Sequence, residues 1–178
     1  MSTVPIEIGH PSVQHWAEPG HPDDRSFIRK YVFSTDHKVI GCQFLFLSLT
    51  FLLVGGLLAM LIRWQLGWPG TAVPGGAILV EAKAPGGILL PEFYNSLVTM
   101  HGTIMIFFAI MPLLVGVFGN WLIPLHVGAS DMAFPRLNMM SFWIYFVGGI
   151  VMMSSFLAPR GAAQSGWSSY APLSVAAP

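Results

Sequence analysis

Charge is scarce in this 178-residue sequence: eight Lys and Arg balance eight Asp and Glu, 9% of the chain, where a soluble domain carries about 25%. The polar shell of a water-soluble fold is missing. With a formal net charge of zero there is no basic face to hold phosphates, which excludes nucleic acid as a partner. Cysteine is nearly absent too. Cys42 stands alone, so it cannot form an internal disulfide, and its apolar neighbours suggest a buried, inert thiol. What fills the sequence instead is apolar, 54% of all residues.

No Asp, Glu, Lys or Arg occurs between Val39 and Ile62, between Phe93 and Ser130, or between Leu137 and Pro159. Each run reaches the roughly 20 residues that a helix rising about 1.5 Å per residue needs to cross a hydrocarbon core of about 30 Å. Backbone amides in lipid must pair within their own segment, so helices are expected. The runs predict an all-α membrane protein with three transmembrane helices, over residues 39–64, 94–122 and 137–159. The first run starts too far into the chain and is too long for a cleaved signal core. Residues 1–30 read as a polar, mobile N-terminal tail, with Pro5, Pro11, Pro19 and Pro22. Its His10, His15 and His21 lack the regular spacing of metal ligands.

Arg25, Arg29, Lys30 and Lys38 precede the first span, whereas the connection over residues 65–92 holds Lys83 with Glu81 and Glu92. Positive charge stays inside, so the N-terminus is expected to be cytoplasmic. That connection is rich in Gly and Pro and reads as an outer loop with turns. Pro124–Arg136 then becomes an inner loop, and everything after Pro159 returns outside.

Depth sorts the polar residues into two layers. His101, in the second span, shares the outer level with Arg63, near the end of the first. A histidine within a span must face protein, a cofactor or water. Its imidazole can pair with another helix or serve as an axial ligand for haem iron. Gly102 removes a side chain beside it, and Met105, Phe108 and Pro112 form a stripe that reads as a helix interface before it reads as a haem-facing surface. At the inner level Asn120, Asp131 and Asn138 flank a short connection, with Trp121, His126 and Arg136 nearby. They fit an ordinary polar loop, or a site that orders water and collects protons.

The segment Met100–Trp143, MHGTIMIFFAIMPLLVGVFGNWLIPLHVGASDMAFPRLNMMSFW, resembles subunit one of the haem–copper terminal oxidases. The similarity runs from FSTDHKVIG at Phe33 to GWSSYAPL at Gly166. It implies that His101 is the axial ligand of a low-spin haem, taken as haem a, and that Arg63 contacts the formyl group of that haem. Tyr94 and Trp167 match residues near the macrocycle and its propionates, with Tyr170 close by. Asp131 matches the acid at the mouth of a proton channel, and Asn120 and Asn138 match asparagines above it.

Gln65 stands where many relatives carry a glutamate for a calcium or sodium ion, so that ion is not expected; Met139 replaces a third asparagine, and Met100 an alanine. The family's subunit has about twelve helices, so the resemblance implies an N-terminal fragment, a split subunit or a truncated product. The ligands of the second haem and of copper B are absent here. As part of a complex the expected activity is cytochrome-c oxidation with reduction of dioxygen to water and proton pumping. Implied partners are the remaining helices of subunit one, oxidase subunits two and three, cytochrome c and membrane lipid, in a bacterial inner membrane. A quinol oxidase of the same superfamily is one alternative, although its polar quinol ligands are replaced here by Val54, Leu58, Phe93 and Ser96. A non-catalytic three-helix membrane remnant is the other.

Overall fold

The computed structural model describes residues 26–76, 79, 81–158 and 161–176. The expected N-terminal tail, with His10, His15, His21 and Arg25, therefore lies mostly outside the described residues. Two units are distinguished, Met1–Phe33 and Ser34–Pro178. In the first, Ile28–Val32 forms one π-helical turn closed by Phe33 N–H donating to Ile28 O at 2.9 Å.

The second unit is built on three helices long and apolar enough to cross a membrane: α1 (His37–Gly67), α2 (Pro91–Val127) and α3 (Pro135–Leu157). Among the described residues all regular structure is helical. Asp36 caps α1, its carboxylate accepting from Lys38 N–H at 2.8 Å. Both α2 and α3 start on proline, where the missing N–H costs nothing. Glu92 adds negative charge at the positive end of α2. The middle of α2 widens into π-helix over Ile104–Ile110 and Pro112–Phe118. Pro112 cannot donate a backbone hydrogen, and a widened turn accommodates its ring.

The connection between α2 and α3 begins later than its sequence suggests. Pro124 lies inside the last turns of α2, and the helix ends at Gly128, whose left-handed φ of 70° makes the C-terminal turn. The exposed turn is therefore 128–134.

Helix contact relies on small residues. A Cβ on Gly55 would lie 2.7 Å from Met105 Sδ, one on Gly116 2.6 Å from the Phe44 ring, and one on Gly149 2.6 Å from the Phe51 ring. Backbones thus approach closely where lipid supplies no hydrophobic drive of its own. Met105 and Phe108 face α1 and α3, which makes their stripe a helix interface; Phe108 packs 5.1 Å from Phe51 and 5.7 Å from Tyr145, centroid to centroid. Large apolar side chains cover the outside of the unit, including Phe46, Leu53, Val115, Ile144 and Val151. Lipid or further helices must cover a surface of this kind. Cys42 is half-buried rather than buried.

The connection between α1 and α2 folds down onto the helices. Val73, Ala84 and Leu89 are buried in a cluster with Phe93 and Leu97. Gly76 and Gly87 allow two backbone stretches to touch, and Val73 N–H donates to Gly87 O at 2.9 Å. Lys83 donates to Phe156 O and, at 3.1 Å, to Ala158 O, pinning this loop to the C-terminal end of α3. A lysine here places positive charge at the negative end of α3.

Candidate functional site

His101 lies on α2 where that helix meets the small-residue face of α1. Its Nδ1 is 2.9 Å from Gly55 O. A carbonyl only accepts, so Nδ1 carries the hydrogen and Nε2 of the neutral ring keeps its lone pair. This is the arrangement that orients a metal-ligating imidazole, one nitrogen held by the protein and the other presented outward. The ring is half-buried.

The surroundings fit a flat macrocycle on the α1 side. Gly56 has open space where a Cβ would be, and Ala59 and exposed Arg63 follow it at three and seven residues, on one helix face. Arg63 lies about 12 Å along α1 from Gly55, at about 1.5 Å per residue. Tyr94 shares the face of α2 that carries His101, seven residues away, and packs on the Val73–Leu97 cluster. A held imidazole, with open space at Gly56 on the neighbouring helix, is chemistry that fits a haem ligand.

The chain after α3 returns across the same end of α2. Ser96 Oγ donates to Ala162 O at 2.8 Å, and Gly166 N–H donates to Thr99 Oγ1 at 3.0 Å. These bonds set Trp167 directly over Gly102, where a Cβ would meet its ring at 2.9 Å. Gly102 thus makes room for an indole. Tyr170 is exposed. Gln65, at this end of α1, keeps its Oε1 buried without a hydrogen-bond partner.

At the opposite end the structure joins residues that the sequence only groups. Asn138 Nδ2 donates to Asn120 Oδ1, and Asn120 Nδ2 donates to Gly116 O at 2.6 Å. Asp131 is half-exposed, and its Oδ1 accepts from Met132 N–H at 2.7 Å. It also lies 3.0 Å from Nδ1 of His37, a buried residue 94 positions earlier in the chain. His37 was missed as a site residue; its position within FSTDHKVIG was the available signal. His126 and Arg136 are exposed, and Trp121 packs its indole against Gly41.

Between the asparagine pair and the middle of the unit lies a cleft of about 490 Å³, lined among others by Met132, Asn120, Asn138, Ser141 and Tyr145. One ordered water needs only about 10–15 Å³ of such space. Met132, the chain neighbour of Asp131, lines this cleft. Met139 instead packs into the Ile40–Phe44–Val117–Phe142 cluster. Among the described residues no three His, Cys, Asp or Glu side chains gather to hold a metal ion.

A family model for "Cytochrome C and Quinol oxidase polypeptide I" matches residues 39–178. The chain belongs to the haem–copper oxidase subunit I family. It is 44% identical over 157 residues to cytochrome c oxidase subunit 1 of Thermostichus vulcanus, covering 88% of this chain and 25% of that protein. It is 40% identical over 175 residues to the Corynebacterium glutamicum subunit, covering 98% and 27%. With the Synechocystis subunit the identity is 44% over 155 residues, covering 87% and 25%. The chain thus spans about a quarter of the length of these curated relatives. Haem–copper oxidase membership makes it an integral membrane protein of an oxidoreductase family, which fits the three apolar spans.

Proposed function

We propose that this chain supplies the first three helices of the catalytic subunit of a respiratory terminal oxidase. In the assembled complex electrons pass from cytochrome c through a low-spin haem to a haem–copper site, dioxygen is reduced to water, and protons are pumped. The observation that carries this reading is the Nδ1–Gly55 bond of His101, which leaves Nε2 as the ligating atom. His101 would hold the haem iron, with Arg63 beside the macrocycle edge and Tyr94 and Trp167 bordering it. When bound, the haem supplies one-electron redox chemistry. Arg63 would favour its reduced form by placing a positive charge nearby.

Asp131 would admit protons from the cytoplasmic side, with Asn120 and Asn138 ordering the water above it. A half-exposed carboxylate, one residue from Met132 on the lining of a cleft roomy enough for water, supports that reading. His37 orients the carboxylate by fixing one oxygen. This reading places the N-terminus in the cytoplasm of a bacterial inner membrane, and the remaining helices with oxidase subunits two and three around the exposed apolar faces.

Ser96 argues for cytochrome c over quinol as donor. Its hydroxyl is committed to Ala162 O, and Phe93 and Leu58 belong to the apolar packing around Leu97, so these three positions offer a quinol headgroup no available hydrogen-bonding side chain. The test is the reduced-minus-oxidised absorption spectrum of the chain assembled with its remaining helices. Loss of the low-spin haem band in His101→Ala supports the assignment; a band of full height rules it out. The same spectrum tests the non-catalytic remnant, which predicts no haem even in the unmutated assembly.

A further inference from the structure

The polar line at the Asp131 end does not stop at the asparagine pair. Asn138, Ser141 and Tyr145 follow at three and seven residues on one face of α3, and all three line the cleft. Tyr145 is thus about 10 Å deeper in the membrane than Asn138, at about 1.5 Å per residue. Its ring is held by Phe44 at 5.5 Å, Phe51 at 6.2 Å and Phe108 at 5.7 Å, centroid to centroid. Rings on three sides leave the hydroxyl no choice of direction.

That hydroxyl donates to Phe108 O at 2.6 Å. Phe108 precedes Pro112 by four residues, so the proline deprives this carbonyl of its α-helical donor, and Tyr145 supplies one in its place. With its hydrogen committed, the phenol oxygen can only accept. Facing it from α1 is the buried Ser48 hydroxyl, 1% exposed as a residue and placed to donate to the phenol oxygen. A phenol oxygen that accepts from one hydroxyl can still accept from a water, and Tyr145 lines the cleft where such a water would sit. Gly116 and Gly119 line the cleft from α2, and a Cβ on Gly119 would meet only Ile123, at 3.9 Å.

We infer that Tyr145 and Ser48 are water-positioning residues, the next station above Asn120 and Asn138 on the path that carries protons from Asp131 into the membrane. This inference rests on the reading of Asp131 as a proton entrance. Tyr145 accepts a hydrogen bond from the uppermost water of the cleft and fixes its orientation; Ser48 holds the following one. Neither side chain needs to change its protonation state.

The test is time-resolved proton uptake by the assembled oxidase in lipid vesicles, with Asp131→Asn as the reference and the haem spectrum as the control for assembly. Tyr145→Phe removes one oxygen and keeps the ring. The expected result is a several-fold slower uptake with a larger solvent deuterium isotope effect and an unchanged spectrum. Wild-type uptake and isotope effect in Tyr145→Phe, alongside slowed uptake in Asp131→Asn, overturn this inference alone. A purely structural tyrosine would give that pattern with a lowered melting temperature. Wild-type uptake in Asp131→Asn overturns the entrance reading and this inference with it. If Tyr145→Phe fails to assemble, Ser48→Ala decides, because it leaves the Tyr145–Phe108 bond in place: slowed uptake supports the inference, and unchanged uptake overturns it.

Discussion

The two ends of the helix bundle are built on opposite plans. Around His101 the chain is covered: the connection between α1 and α2 buries Val73 and Ala84, and the segment after α3 buries Ala162. Around Asp131 a short exposed turn leaves the carboxylate half in contact with its surroundings. Covering fixes the position of a ligand nitrogen against a carbonyl; openness lets a carboxylate exchange protons. On the proposed function, electron transfer through a metal would use the first and proton entry the second, so one short chain would serve both.

Substitutions at each end should separate them. The largest effect is expected for His101→Ala, which removes the imidazole that Gly55 O holds by Nδ1 and with it the proposed ligating Nε2. The low-spin haem band should vanish, while proton-path residues keep their places. Asp131→Asn should come next: it removes an exchangeable proton without changing shape, so uptake slows strongly while the haem spectrum stays intact. A variant that moved both readouts together would erase the distinction between the ends.

Gly102→Ala sharpens the comparison at the covered end. The added Cβ would stand 2.9 Å from the Trp167 ring, so the indole and the segment tied down by Ser96 and Thr99 must shift. Overpacking of this kind costs about 1–3 kcal/mol. Thermal denaturation of the assembled complex should show the loss, with a shift of the haem band if Trp167 borders the macrocycle. Proton uptake should remain as in the unmutated protein.

The helices themselves are legible in the sequence because charge cannot be left in lipid. The gaps between charged residues therefore measure the spans, and α1 and α3 differ from the expected ranges by two or three residues at each described end. The end of α2 is less legible. Pro124 reads as a stop, yet a proline near a helix terminus sacrifices one hydrogen bond, and Gly128 supplies the actual turn. Depth alone groups His101 with Arg63, the pair that the proposed function sets beside a haem. Partnership was hidden wherever it depends on how helices pack. Gly102 pairs with Trp167, and Tyr145 with a carbonyl freed by Pro112, and neither pairing has a local pattern.

His37 is the extreme case, and it yields the smallest predicted effect. Between Asp36 and Lys38 it reads as one more flanking polar residue, but it is buried, and its partner is 94 residues away. The bond from Nδ1 holds Oδ1 of Asp131, which Met132 N–H also engages, so two donors fix one oxygen of a carboxylate that is otherwise half-exposed. Removing one of two donors to such a group should cost about 0.5–1.5 kcal/mol. His37→Ala should therefore slow proton uptake modestly, well short of Asp131→Asn, because the carboxylate survives but loses its orientation. The double variant should be no slower than Asp131→Asn alone, since His37 acts through that carboxylate. Additive slowing would mean that the imidazole reaches the proton path by a route of its own, and the open end would then contain two entrances rather than one.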